Sequence, residues 1–409
     1  MQVLHPRCAG LDVHKKTVVA CVRLVEGGKV HYEVQTFSTV TVDLLRLADW
    51  LHQHGVTHVV LESTGVYWKP VWYALDDGEL HLTLGNAAHI RNVPGRKTDV
   101  NDAHWLADLH AHGLVRASFV PSSHEAALRD LTRTRKQMVR ERASHVQRIQ
   151  KVLEDACLKL GDVLTDVMGK SGRAILQGLS EGITDVDQLL GRIDRRVASK
   201  TEALRRALQG RLRPHHQLLL KLHLEQIAAL EQAIATIDRE VGERLEPFRN
   251  QIERLSAIPG VSQTVAEVLA AEIGLDMSRF ATDAHLRSWA GLCPRSDESA
   301  GKTRSRRTKP GDPWLKTMLV QAATSAARTK ASYLGAQYRR LKGRRGHKRA
   351  VVAVAASILT IAYHLLRDGT TYQDLGVDYF QRREPEREAQ RAVRKLKQLG
   401  YEVDLKKAA

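Results

Sequence analysis

Four carboxylates in the first part of the chain occupy positions that suggest a functional role. Asp12 lies inside an apolar run that predicts a strand, and Glu62 ends a second apolar run, Val-Val-Leu-Glu. Asp99 and Asp102 come three residues apart at the start of a predicted helix, a spacing that puts both on one helix face. Burying a carboxylate among apolar residues costs free energy unless a partner replaces its lost hydration.

Hard divalent cations are suitable partners, because carboxylate oxygens are ligands that Mg²⁺ prefers. Two metal ions about 3.5–4 Å apart stabilise the attacking and the leaving oxygen of an in-line phosphodiester transfer, and they need several bridging carboxylates. We therefore predict a two-ion Mg²⁺ centre for phosphodiester chemistry, held by Asp12, Glu62, Asp99 and Asp102.

The run Gly-Leu-Asp-Val also occurs in the actin-like ATPase fold. However, the Gly-Lys-Thr at residues 301–303 lacks the earlier Walker glycine, because position 296 is serine, so ATP hydrolysis is disfavoured.

The elements that must position these carboxylates are predicted from hydrophobic periodicity. Three strands joined by short turns, over 8–13, 17–24 and 29–37, predict an antiparallel meander. Helix and strand then alternate along the chain: helix 41–53, strand 56–62, helix 66–75, strand 80–84 and helix 99–110. This order predicts a mixed sheet with helices packed against it, which is the layout of the ribonuclease H fold.

The remainder of the chain has helical periodicity. One long helix is predicted from 122 to about 160, with Ser122 or Ser123 as its N-cap. A second runs from about 215 to 245 and carries an apolar 3,4 repeat, which is typical of a core face or of a coiled-coil contact. The run Ile-Pro-Gly-Val at 258–261 precedes an alanine-rich helix and predicts either a helix-hairpin-helix element that contacts a phosphate or an ordinary packing turn.

The charge is strongly positive and unevenly distributed. The net charge is +17 and the pI is about 9.8, which indicates a polyanionic partner. Residues 1–115 contain 10 Lys or Arg and 12 Asp or Glu, whereas residues 295–349 contain 16 and 3. Such a dense basic segment favours contacts with a nucleic-acid backbone. The predicted contact residues are Lys302, Arg304, Arg306, Arg307, Lys309, Arg344, Arg345 and Lys348.

Two further features bear on the compartment. The four cysteines form no CxxC motif and suggest no disulfide framework, which fits a reducing cytoplasm, where the protein would associate with the nucleoid when active. The apolar stretch 350–366 is short for a membrane span and is bracketed by charge, so a buried helix is predicted and no membrane partner.

These motifs together resemble the DEDD-type transposases of the insertion-sequence 110 family, relatives of the Piv-type site-specific invertases. The resemblance covers most of the chain. The four carboxylates lie in its N-terminal motifs, which are GLDVHK, LESTGVYW and GRKTDVNDA. The C-terminal motifs are IPGV, WAGLCP, ESAGK, KPGDPWLKTMLVQAA and AYHLLRDGTTY.

The resemblance implies an α/β domain followed by α-helical regions. A RuvC-like ribonuclease H domain is expected over 1–119 and a helical coiled-coil region over 120–249. A mostly helical C-terminal transposase domain is expected over 250–372, and a charged helical tail over 373–409.

The resemblance also implies a catalytic serine in a Pro-x(4)-Ser-x-Gly segment. Here Pro294 leads to Ser299, although many members have Ser-Gly where this chain has Ser299-Ala300; Ser296 and Ser305 are the alternatives. It further implies a noncoding bridge RNA that pairs with donor and target DNA. Two duplexes must be held together, so a dimer or tetramer is expected.

Two other functions fit the same residues. A Holliday-junction-type endonuclease would use the four acids with water as the nucleophile, and Ser299 would be dispensable. A non-catalytic nucleic-acid-binding scaffold would bury the acids for structural reasons alone.

Overall fold

A computed structural model describes residues 2–405 with the exception of 63–64, 87–89, 91–101, 295–297, 300–301, 304, 306, 309–310 and 384. The chain divides into two compact units, Met1–Val120 and Pro121–Ala409. The finer division of the second unit into a coiled-coil region, a transposase domain and a tail stays a prediction.

The first unit is built on a five-stranded mixed sheet. Its strands are β1 (Arg7–Val13), β2 (Thr17–Glu26), β3 (Lys29–Ser38), β4 (His58–Glu62) and β5 (His81–Gly85). They lie side by side in the order β3-β2-β1-β4-β5. The first three form the predicted antiparallel meander, while β1, β4 and β5 are parallel. This arrangement confirms the mixed sheet and is compatible with a ribonuclease H fold.

Helices cover both faces of this sheet. Helices α1 (Thr41–Gln53) and α2 (Trp68–Leu75) pack on the face that contains Leu11 and Leu61. Helix α3 (Asp102–Ala111) packs on the opposite face, where Leu106 contacts Val60. Alternate residues of a strand point to opposite faces, so Gly10 and Asp12 face α3.

The second unit is helical apart from one short hairpin, in the part of the chain that the structure describes. Its first half contains α4 (Ser123–Asp155), α5 (Leu160–Val163), α6 (Lys170–Ser180), α7 (Val186–Leu190), α8 (Thr201–Ala207) and α9 (Pro214–Leu245). Its second half contains α10 (Arg249–Ser256), α11 (Gln263–Ile273), α12 (Asp283–Trp289), β6 (Glu298–Ser299), β7 (Lys302–Thr303), α13 (Pro313–Ala326), α14 (Tyr333–Arg345), α15 (His347–Asp368), α16 (Tyr379–Arg383) and α17 (Pro385–Gln398). Short 3₁₀ segments precede α8, α10 and α12.

The two long helices, α4 and α9, pack against each other in opposite directions. Arg135 pairs with Asp238, and Arg142 donates to Glu231 at 2.7 Å. The apolar repeat of α9 is at least partly buried, with Ile227 and Val241 fully so. The N-cap of α4 is Ser122, whose side chain and that of Glu125 cap one another's backbone N–H groups. Both helices are confirmed, and a supercoiled pairing stays a prediction.

Residues 258–261 form a turn between α10 and α11 in which Gly260 has φ +89°. A Cβ at Gly260 would lie 2.6 Å from the Ala326 nitrogen and closer still to the Ala322 carbonyl oxygen, both in α13. The N–H of Val261 donates to the Ile258 carbonyl at 2.9 Å. Close packing on α13 therefore explains this glycine, and a phosphate contact at the turn stays a prediction.

Helix α15 contains the long apolar stretch. By length and composition it could cross a membrane, yet half of its most apolar window is buried against other parts of the protein. Its buried residues include Val354, Ile358 and Leu359, and it packs on α12, α13 and α14. This packing is that of the predicted core helix.

Candidate active site

Asp12 and Glu62 lie side by side on neighbouring parallel strands. Leu11 of β1 pairs with Leu61 of β4, and each carboxylate follows that pair by one residue. Adjacent strands are about 4.8 Å apart, and residues in the same register point to the same face. Because Leu11 and Leu61 face the α1–α2 core, both carboxylates face α3.

Asp102 reaches the same face from above the sheet. It is the first residue of α3, which crosses β1 in the opposite direction: Leu4 and His5 donate to the carbonyl of Ala111 at the far end of the helix. Near the acidic end, α3 lies directly on Gly10, where a Cβ would lie 2.5 Å from the Ala107 nitrogen. Glycine in the GLDVHK motif is therefore required by the approach of a helix backbone to a strand backbone.

The three carboxylates differ in their exposure. Glu62 is only 7% exposed, the side chain of Asp12 is 20% exposed, and Oδ1 of Asp102 is shielded from solvent. Nε2 of the exposed His14 ring lies 3.2 Å from Oδ2 of Asp12. The site is thus half-buried, with an oxygen-rich donor set on a rigid framework of two strands and one helix. Such a set fits a hard divalent cation, because carboxylate oxygens match its ligand preference.

A polar clamp holds the middle of α3 to the sheet. Arg23 of β2 is buried and donates through Nε to Asp108 at 2.9 Å, and the Tyr32 hydroxyl donates to the same carboxylate at 2.7 Å. The ring of His104 stacks on Tyr32 with 3.8 Å between centroids. Burial opposes the charge of Arg23, but the bonds to Asp108 and Tyr32 outweigh it and raise the pKa of the guanidinium. We call Arg23, Tyr32, His104 and Asp108 the α3 clamp.

A column of imidazoles occupies the other end of the same elements. His58 begins β4 and stacks on His5 with 3.9 Å between centroids, and His81 of β5 and His110 of α3 flank this pair at 4.8 and 5.0 Å. His110 is 5% exposed; burial first, and then His5 and His58, lower its pKa to about 4. Burial and the neighbouring rings also lower the pKa of His58. We call His81, His58, His5 and His110 the imidazole column; the lowered pKa values of His58 and His110 leave these two rings uncharged near pH 7.

Of the predicted catalytic residues, Asp12 and Glu62 lie on adjacent strands, and Asp102 begins the helix that covers the same face of the sheet. Asp99 lies outside the described residues. Ser299 lies in the β6–β7 hairpin, where its backbone pairs with Lys302. The alternative Ser305 accepts from the N–H of Arg307 at 3.3 Å, and Ser296 is outside the described residues.

The predicted nucleic-acid contacts that can be located are all exposed: Lys302, Arg307, Arg344, Arg345 and Lys348. Arg344 and Arg345 end α14, and Lys348 lies in the first turn of α15. Arg304, Arg306 and Lys309 lie outside the described residues.

A second group of metal-ligand residue types is better explained as a helix cap. Ligand atoms of Asp155, His215 and His216 lie within 4.8 Å of one another. However, the N–H of Arg213 donates to Nδ1 of His216 at 3.3 Å, which leaves the ring proton on Nε2, 2.8 Å from Asp155. Neither nitrogen of His216 then offers a lone pair, and a metal-binding imidazole normally donates its second N–H rather than accepting one.

Sequence reasoning missed the α3 clamp and the packing role of Gly10. A signal for the clamp is present, because Arg23 interrupts a strand of otherwise apolar residues and a buried charge needs a partner. Nothing in the sequence identifies Asp108 as that partner, since the two residues are 85 positions apart.

Two transposase families match parts of this chain. Residues 9–158 match a family of transposases described as DEDD transposases of the IS110 type, and residues 252–339 match the transposase IS116/IS110/IS902 family. The first match contains all four carboxylates of the predicted centre, and a DEDD family match supports the use of a divalent cation. The second contains Ser299.

Two similar proteins support the same family. The chain is 26% identical over 285 residues to a Pseudomonas aeruginosa protein named "Probable family 20 transposase", which covers 69% of this chain and 75% of the relative. It is 31% identical over 121 residues to a Streptomyces coelicolor protein named "Insertion element IS110 uncharacterized 43.6 kDa protein", covering 29% of each chain. With more than half of its residues in the two family matches, the chain belongs to the IS110 family of transposases, enzymes that act on DNA.

Proposed function

We propose that this transposase cuts and rejoins DNA at a Mg²⁺ centre in a RuvC-like domain, held by Asp12, Glu62, Asp99 and Asp102. One observation carries the proposal: β1, β4 and α3 each supply a carboxylate to the same end and the same face of one sheet. Bound divalent cations would supply charge stabilisation for the attacking and leaving oxygens of a phosphodiester. The chain's own part is to hold its carboxylates rigidly and to keep them half-buried.

We assign the nucleophile to Ser299. Its Oγ forms a bond to phosphorus, the bond from phosphorus to one strand oxygen breaks, and the serine proton leaves to a base while the released strand end gains one. A hydroxyl of the partner strand then attacks the phosphoserine, which restores the serine and the phosphodiester. The bond energy is conserved, so no ATP is consumed.

The hairpin that carries Ser299 supports this role. Backbone pairing of Ser299 with Lys302 places a lysine directly across from the serine in the ladder, and Lys302 is exposed. A lysine ammonium group is a favourable partner for a phosphate.

We further propose that a noncoding bridge RNA and a homodimer or homotetramer complete the active complex. The exposed cations at Arg344, Arg345 and Lys348 suit phosphate contacts, which carry no base sequence. Base pairing with RNA would then supply sequence choice, and more than one protomer would hold the donor and target duplexes.

The test is covalent trapping. Purified full-length protein is incubated with Mg²⁺ and with donor and target DNA, with and without RNA transcribed from the flanking element, and protein–DNA adducts are separated under denaturing conditions. We expect an adduct that Ser299→Ala abolishes and Ser305→Ala retains. Cleavage that persists in Ser299→Ala without any adduct would instead identify a water-dependent endonuclease, and no cleavage with intact binding would identify a scaffold.

A further inference from the structure

The long helix α4 carries two populations of cations. Some are in ion pairs with carboxylates of other elements: Arg133 with Glu272 and Asp312, Arg135 with Asp238, and Arg142 with Glu231. Four others have no carboxylate partner within the described part of the chain: Lys136, Arg140, Arg148 and Lys151. We call these four the α4 stripe.

The stripe follows one side of the helix. At 100° per residue, its members fall within about a third of the helix circumference, and at 1.5 Å per residue they span about 22 Å. Arg140, Arg148 and Lys151 are exposed, as are Ser144 and Gln147 between them. This side is contacted by other helices as far as Lys136, which donates to Gln321 of α13, and its stripe residues are exposed from Arg140 onward.

The stripe begins beside an aromatic ring from another element. The guanidinium of Arg140 lies 5.4 Å from the ring centroid of Trp314, at the start of α13, and Lys136 donates to Gln321 of the same helix at 3.1 Å. Burial, and then Arg140 and Arg135, lower the pKa of Lys136, as expected where cations crowd without anions. Between Leu131 and Leu153 the only acidic residue is Glu141.

A row of mutually repelling cations is costly in the free protein and becomes favourable when a polyanion binds. The exposed amide side chain of Gln147, which lies between the cations, adds a hydrogen-bond donor for phosphate oxygens. Apolar residues are absent from the open side between Arg140 and Lys151 apart from Ala143, so the chemistry does not suit a protein partner that docks through an apolar surface.

We infer that the α4 stripe is a phosphodiester-binding surface, distinct from the basic segment at residues 295–349, along which one nucleic-acid backbone lies. The inference rests on the proposed function only in taking the bound polyanion to be a nucleic acid. Duplex DNA and folded RNA share this backbone, and the test separates them.

The experiment compares the salt dependence of binding. Full-length Arg140→Gln/Arg148→Gln/Lys151→Gln is titrated with a duplex DNA of about 30 base pairs and with a folded RNA of similar length, over a range of salt concentrations. Each lost phosphate contact should reduce the slope of log K against log salt by about 0.9 on duplex DNA and about 0.7 on single strands. The matched control, Arg211→Gln/Lys221→Gln/Arg239→Gln, removes equal charge from exposed positions outside the stripe.

We expect the slope to fall by about 2 to 3 in the stripe variant relative to the control, for at least one of the two nucleic acids. A fall on DNA alone assigns the stripe to DNA, and a fall on RNA alone assigns it to RNA. Equal slopes for stripe and control variants on both nucleic acids would overturn the inference. Ser299→Ala should keep the wild-type slope. If the wild-type protein forms no adduct in the trapping assay while the stripe and control variants still differ in slope, the proposed function is refuted and the stripe is not.

Discussion

Strand β4 has a titratable side chain at each end, and the two side chains belong to clusters of different chemistry. His58 begins the strand within the imidazole column, and Glu62 ends it beside Asp12, about 13 Å away at the rise of a β-strand. Helix α3 spans the same interval, with Asp102 at the acidic end and His110 at the other. Burial lowers the pKa of His58 and of His110, so these two rings pack uncharged near pH 7.

A carboxylate loses its charge only by protonation, and it would then no longer serve as a ligand for a metal ion. Like charges gathered on a rigid face repel one another, and a divalent cation relieves that repulsion. The two polar clusters lie at opposite ends of one helix and one strand and differ in their chemistry. The imidazole column packs among its own rings, whereas the carboxylates are suited to bind a cation.

Removing one carboxylate should give the largest effect. Asp12→Asn is expected to lower recombination by at least about 10³-fold, because a ligand of the proposed centre is lost. It should leave the free protein as stable as the wild type, or more stable, since one repelling charge is gone. Mg²⁺ should raise the Tm of the wild type and not that of the variant, because only a protein that binds the ion in its folded state is stabilised by it.

His14→Ala is the matched control at this end of β1. Its ring is exposed and contacts Asp12, yet it is not among the proposed ligands. Normal recombination by Asp12→Asn, or an equal loss in both variants, would contradict the assignment of Asp12 as a ligand.

Gly10→Ala tests the element that joins the two ends. The added Cβ would collide with the backbone of α3 at Ala103 and Ala107, and backbone atoms cannot move aside as a flexible side chain does. Overpacking of this kind costs about 1–3 kcal/mol, and the free energy of unfolding from urea titration should fall by that amount or more. Both Mg²⁺ binding and recombination should weaken, because Asp102 moves with α3.

Gly242→Ala provides the contrast. It lies within α9 with open space around it, and alanine is favoured over glycine in a helix by about 1 kcal/mol. An equal loss of stability in both variants would show that the close approach at Gly10 is not the cause.

Acidification tests the histidine end. The unfolded-state pKa of His110 is about 6.5 and its folded-state value is about 4, so the unfolded chain binds more protons between these values. The stabilisation is present above pH 6.5 and is lost as the pH falls towards 4. At pH 5 the loss should be about 2 kcal/mol from this group. Urea titrations at pH 7 and pH 5 measure it, and His110→Leu should show a decrease smaller by that amount.

Much of the α/β unit could be predicted because its signals are local. Apolar runs and turns located the five strands of the sheet, and the start of α1 at Thr41 followed from residues a few positions apart. The proximity of Asp12 and Glu62 also followed, since parallel strands bring their ends to one edge.

What could not be predicted depends on contacts between distant residues. The short helices α5 to α8 form a core with the end of α4 and the start of α9, including Leu160, Ile175 and Leu204, where the sequence indicated only a break in periodicity. The β6–β7 hairpin has two residues in each strand, too few for an alternation pattern. The α3 clamp depends on the crossing position of α3, which no local pattern records.

The smallest expected effect comes from that clamp. Asp108→Asn keeps the shape of the side chain but removes the charge that Arg23 and Tyr32 share, leaving a buried guanidinium without its counter-ion. Because α3 is also held by Leu106 and Ala107, we expect it to shift rather than detach, and Mg²⁺ affinity to fall by about 10-fold. Isothermal titration with Mg²⁺ measures this, and Asp108→Glu should restore part of the affinity.

Asp43→Asn, which removes a carboxylate paired with Arg46 on α1, controls for a general loss of charge in the same unit. If Asp108→Asn lowers the Tm while Mg²⁺ affinity stays at the wild-type value, the clamp stabilises α3 without positioning Asp102.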